Sequence, residues 1–159
     1  MKYRLSKSFL LSAVLFLVLM LTAFLLPPRM PKPQEIEARK ALVMVNDQKI
    51  EAAIALTAVE KEKGLSGTSA LAEGDGLLFV FESDDYYGIW MKGMLIPIDI
   101  AWLDEGGFIV DLEHSVSPDT FPTIFRPAAE ARYVLETNAG WFKAHEINVG
   151  DHVFLKNLP

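Results

Sequence analysis

Two carboxylates stand out for chemistry because of their neighbours. In Ile98-Asp99-Ile100-Ala101-Trp102-Leu103, strand alternation puts Ile98, Ile100 and Trp102 on one face and Asp99, Ala101 and Leu103 on the other, so apolar residues flank Asp99 on both sides. A charge buried there needs a cation, several backbone N–H donors or a shifted pKa. Lys92 and Arg132 are the basic residues in β-like segments that could serve it. In Arg132-Tyr133-Val134-Leu135-Glu136 the same alternation sets Arg132, Val134 and Glu136 apart from Tyr133 and Leu135. If Asp99 and Glu136 faced one another, they could do general acid/base work on a glycosidic bond. The plainer reading makes Asp99 a structural carboxylate that pins the loop around Pro97, with Arg132 and Glu136 paired to other residues on the strand rim.

Trp90 and Lys92, two apart in a strand, would share a face and place an indole beside an ammonium group. That suits a sugar, an aromatic or an acidic ligand, although a core Trp beside a snorkelling Lys would read the same way. The candidate binding residues are therefore Trp90, Lys92, Asp99, Tyr133 and Glu136. Other chemistries lack their residues. The chain has no cysteine, which removes disulfides, a thiolate nucleophile and thiolate-bound zinc. His114, His145 and His152 form no H-x-x-x-H or H-x-H pair, so no metal site is expected, and His114 continues a strand alternation as a core or strand-end residue. Gly64-Leu65-Ser66-Gly67 lacks the spacing of a nucleophile elbow, and Glu73-Gly74-Asp75-Gly76 is too short for a calcium loop. With no phosphate-binding or dinucleotide fingerprint, no cofactor is expected.

The elements that must position these residues are mostly strands. Ala41 to Asn46 and Lys49 to Thr57 read as a hairpin around Asp47-Gln48, followed by strands at Gly76 to Glu82, Tyr87 to Lys92, Ile98 to Asp104, Phe108 to Glu113, Tyr133 to Thr137 and Val153 to Lys156. Thr57 can cap a helix over Ala58 to Lys63 that stops at Gly64, and Asn138 can cap another over Ala139 to Glu146. This pattern predicts a mainly β domain over 40–159, a compact β-sandwich or partly closed barrel with one or two short helices.

Ahead of it, residues 1–8 form a basic leader and Phe9 to Leu26 an uncharged apolar run. Its 18 residues would span about 27 Å as a helix, close to the hydrocarbon thickness. The run is longer than the apolar region of a signal peptide and exits through Phe24-Leu25-Leu26-Pro27-Pro28 without a small-x-small site. A single-pass inner-membrane signal-anchor is expected, followed by a Pro-rich linker over 27–39, with the folded domain facing the periplasm or outside. Secretion after cleavage is the alternative. From Arg29 onward 12 bases face 21 acids, a balance of −9, so nucleic acid is not an expected partner.

Several strings recur in a recognisable order: Glu62-Lys63-Gly64-Leu65-Ser66-Gly67, Gly76-Leu77-Leu78-Phe79-Val80-Phe81, Trp90-Met91-Lys92, Ile96-Pro97-Ile98-Asp99-Ile100, Tyr133-Val134-Leu135-Glu136 and Gly150-Asp151. Over about residues 42 to 156 the chain resembles the bacterial and archaeal family called domain of unknown function 192. The resemblance implies a compact, mainly β domain, often behind a signal peptide or anchor, and supplies no reaction. It carries over Trp90, Lys92, Asp99 and Glu136 as candidate residues, and Pro97 and the glycines as turn residues. One departure is visible: Gly93-Met94 stands where the family usually has Asn-Thr after the Trp-Met-Lys/Arg string. The expected function is a non-enzymatic, membrane-tethered module binding a small molecule, glycan or protein. The alternatives are a metal-independent cell-envelope hydrolase or transferase using carboxylates, and a structural subunit of a membrane complex.

Overall fold

Six consecutive residues, Ile98–Leu103, are buried, which requires a strand covered on both faces. The computed structural model describes residues 39–159, so the leader, the apolar run 9–26 and nearly all of the Pro-rich segment lie outside the described residues. Among the described residues no helix is long and apolar enough to cross a membrane. The described residues form nine strands: β1 (Lys40–Val45), β2 (Gln48–Ala55), β3 (Asp75–Asp85), β4 (Ile89–Trp90), β5 (Ile98–Leu103), β6 (Ile109–Val116), β7 (Ile124–Phe125), β8 (Ala131–Asn138) and β9 (Val153–Lys156). Seven of them make one sheet in the order β6-β5-β8-β3-β2-β1-β9, while β4 and β7 pair as a separate ribbon.

Neighbours in the sheet are antiparallel except β2 and β3. A parallel pair needs a crossover, and this one contains helix α1 (Ala58–Lys63). Its start is fixed by a capping box: the Thr57 side chain accepts from the Glu60 N–H, and the Glu60 carboxylate accepts from the N–H groups of Leu56 and Thr57. Those backbone bonds, chiefly the one from Thr57, hold the Glu60 carboxyl at a pKa of about 2.

The seven-stranded sheet thus curls as half a barrel, as the partly closed barrel predicts, and the described residues do not form the two packed sheets of a sandwich. Its outermost strands approach each other at one end, where Phe108 bridges His152 and the Val153 N–H donates to the Gly107 carbonyl at 2.8 Å. A Cβ on Gly107 would lie 2.5 Å from that Val153 carbonyl oxygen, and its φ is +85°, so this seam requires glycine. Alternation divides the core in two. Val43, Ile50, Leu78, Ala101, Leu103, Leu135 and Phe142 belong to one cluster. Leu77, Phe79, Ile98, Ile100, Trp102 and Val134 belong to the other, with Met91 and Met94 beside the β4–β7 ribbon.

Local geometry departs from the sequence pattern at several points. The first hairpin turns on Asn46-Asp47, with Asn46 at φ 51°, and not on Asp47-Gln48. The second helix, α2, covers only Trp141–Ala144 and follows a left-handed Gly140 with no side-chain cap. Asn138 remains in β8, where its amide donates to the carbonyls of Leu71 and Ala72, a bond that competes with capping. Strand β4 stops at Trp90, β3 and β6 run longer than expected, and β7 carries too little alternation to be read from sequence.

Asp99 is fully buried, yet neither Lys92 nor Arg132 answers it. Its Oδ1 accepts from the N–H groups of Ser115 (2.7 Å) and Gly140 (2.8 Å), and its Oδ2 from that of Phe142 (3.0 Å). Arg132 instead pairs with Asp84 at 2.7 Å and Glu105 at 3.4 Å. Because an amide nitrogen cannot accept, Asp99→Asn should leave a buried donor unmet and cost about 2–4 kcal/mol in urea unfolding. A loss below 0.5 kcal/mol would show that the amide bonds do not hold the fold.

Candidate functional site

Glu136 sits on the other face of the sheet. Its register partners are Leu77 on β3 and Ile100 on β5, whereas Asp99 pairs with Thr137, so the two carboxylates project to opposite sides. They cannot flank one bond, which removes the paired acid/base arrangement considered above.

Glu136 forms the floor of a small cleft of about 50 Å³. One wall comes from the end of α1 and its loop, Lys61 to Ser66; the others are Phe79 of β3, Gly88 to Trp90 around β4, and Met94. Gly64 closes α1 at φ +49°, and a Cβ there would lie 3.5 Å from Phe79 Cζ and 4.0 Å from Glu136 Oε2. The Gly64 backbone therefore packs closely beside the carboxyl. The loop is tied to the turn after β4 by two bonds: Ser66 Oγ donates to the Lys92 carbonyl at 2.6 Å, and the Gly67 N–H to that of Gly93 at 2.9 Å.

Glu136 is only 4% exposed, and its Oε2 has no hydrogen-bond partner among the described residues. Burial pushes its pKa up to about 8. At neutral pH it is mostly a neutral acid, able to donate through O–H and accept through C=O.

The five candidate residues divide among separate places. Trp90, 41% exposed, lines the Glu136 cleft and meets Phe121 edge-on at 6.2 Å. Lys92 lies past the end of β4, in a turn, yet its Nζ stands 5.2 Å from the Trp90 ring centroid and 3.8 Å from Glu62 Oε1. Tyr133 shares the Asp99 face and lines a shallow depression with Glu105, His152 and Phe154. Asp99 is enclosed by its amide donors. His114, half-exposed, stands 3.9 Å from Asp99 Oδ2 and is not a core residue. Sequence reasoning missed Gly64, Ser66, Phe79 and Met94 as site residues; the Gly-Leu-Ser-Gly turn was the only local signal. Among the described residues no three His, Asp or Glu side chains cluster as metal ligands.

The raised pKa sets a pH dependence. An unfolded Glu136 would ionise near 4.5, so from there to about pH 8 the folded state holds a proton the unfolded state has lost. This group's effect on stability is therefore most favourable below that window, worsens as pH rises through it, and levels off above it. A shift of this size amounts to a few kcal/mol. Relative to wild type, Glu136→Gln should gain a few kcal/mol between pH 5 and pH 9 in urea unfolding. A constant difference would mean that the carboxyl is solvated.

Two solved structures share the fold. One is a proposed transcription regulator from Sinorhizobium meliloti 1021, 24% identical, with a TM-score of 0.69 over 75% of this chain and 94% of that one. The other, a protein of unknown function from Novosphingobium aromaticivorans DSM 12444, is 23% identical, with a TM-score of 0.69 over 84% of this chain and 96% of that one. At these identities the likeness concerns the fold alone. No curated protein matches. The profile of domain of unknown function 192, described as an uncharacterized ACR, matches residues 41–155, from the first strand of the sheet to the last. The chain belongs to that family.

Proposed function

We propose that the protein is a membrane-tethered, extracytoplasmic binding module whose ligand reaches Glu136 through the cleft beneath Trp90. The observation that carries this reading is the buried, unpartnered Oε2 of Glu136 at the cleft floor. A desolvated polar atom without a partner costs about 1–3 kcal/mol, which a bound group would recover. The basic leader and the apolar run 9–26 support the tether and the outward-facing domain. Nucleic acid has no place in this reading, because the segment from Arg29 onward carries −9.

The cleft limits what can enter. About 50 Å³ holds a few water-sized groups and no sugar ring. The ligand therefore presents a terminal group to Glu136 while its body rests against the exposed face of Trp90. The test is amide NMR on the full-length protein with acetate, acetamide and methylammonium. Probes of two to four heavy atoms gain at most about 1.5 kcal/mol per heavy atom, so saturation in the millimolar range is expected for at least one of them. The shifts should centre on Gly64, Ile89, Trp90 and Glu136 and vanish in Glu136→Leu. Failure of all three probes to give saturable shifts there overturns the reading.

A second reading, a cell-envelope hydrolase or transferase, is favoured by the same raised pKa, which suits a general acid at neutral pH. It predicts slow release of product from small chromogenic esters that Glu136→Gln abolishes. Release unaffected by Glu136→Gln would exclude it.

A further inference from the structure

We infer that the group admitted to the Glu136 cleft is a small aliphatic carboxylate, held by the Glu136 carboxyl at the floor and drawn in by lysines at the mouth. This rests on the binding reading above and names its ligand class.

The charge distribution comes first. Residues 39–159 contain 10 Lys and Arg against 19 Asp and Glu, yet Lys61 and Lys63 line this cleft and Lys92 stands over Trp90 at its rim. Apart from Glu136 itself, Glu62 is the one acid lining the cleft, and it lies 3.8 Å from Lys92. On an otherwise acidic surface, a local concentration of cations attracts anions. Two of the lysines are held in place by aromatic rings: Lys92 over Trp90 at 5.2 Å and Lys61 over Phe81 at 4.5 Å.

The floor is the second observation. Glu136 is raised by burial alone, so the lysines act at the mouth without ionising it. The charged groups facing the cleft are Lys61, Glu62 and Lys63 on α1 and its end, and Lys92 after β4; β3 presents Phe79 and β4 Ile89. An ammonium ligand would have to pass the lysines and then ionise a carboxyl that burial keeps protonated. A neutral amide would gain hydrogen bonds but no attraction at the mouth. A carboxylate accepts the Glu136 O–H in a charge-assisted bond while the lysines offset its charge. The proton stays within that bond, and no covalent bond changes.

The experiment titrates acetate, acetamide and methylammonium into the full-length protein by NMR at pH 7 and pH 9, in low and high salt. Acetate should bind most tightly and weaken about tenfold from pH 7 to pH 9, as Glu136 loses its proton around pH 8. Added salt, or Lys92→Gln, should weaken acetate about threefold and leave acetamide unmoved. Glu136→Gln, whose amide donates at either pH, should lose the pH dependence. Tighter binding of methylammonium or acetamide, or acetate affinity that holds or rises with pH, would overturn the carboxylate assignment and leave the binding reading intact. If no probe binds, both fall.

Discussion

The carboxylate of Asp99, shut off from solvent and met by three backbone amides, fastens two distant pieces of chain to β5. Its donors lie 16, 41 and 43 residues away, in the bulged end of β6 and at the start of α2. A cation could supply charge at one point; three amides fix position in three directions. One register step away, across the thickness of the same sheet, Glu136 has the opposite fate, with burial but no donors. The sheet therefore keeps one acid satisfied by backbone amides and leaves the other buried with an unpartnered Oε2.

The sequence exposed the environment of Asp99 and not its solution. Alternation over Ile98–Leu103 is a local property, so the apolar company of Asp99 was legible. Its partners are backbone groups brought in by chain reversal, and backbone groups have no residue-type signature. The Thr57–Glu60 capping box was legible because all its atoms lie within one turn. Asn138 was misread because its amide had a tertiary alternative, the carbonyls of Leu71 and Ala72, which no local pattern shows.

The cleft was legible only in fragments. Its lining comes from α1 and its loop, from β3, from β4 and the turn after it, and from β8, which meet only in the folded chain. Four of the strings that carry the family resemblance contribute to it or its rim: those holding Gly64, Phe79, Trp90 with Lys92, and Glu136. The Ile96–Ile100 string instead sends Asp99 into the other core. The departure at Gly93-Met94 also lands here. Gly93 supplies a left-handed turn and accepts the bond from Gly67, while the buried Met94 gives the cleft an apolar wall where relatives usually carry polar residues.

The pairing of β1 with β9 governs how the domain can be made. Val45 faces Val153, so β1 gains its second neighbour only when β9, distant in sequence, arrives. Contacts of such long sequence separation close slowly, because loop entropy is lost before they reward it. Until then β1 presents an open edge to any other chain nearby. Removing β9 would therefore bare the backbone of β1 and leave an edge inviting association.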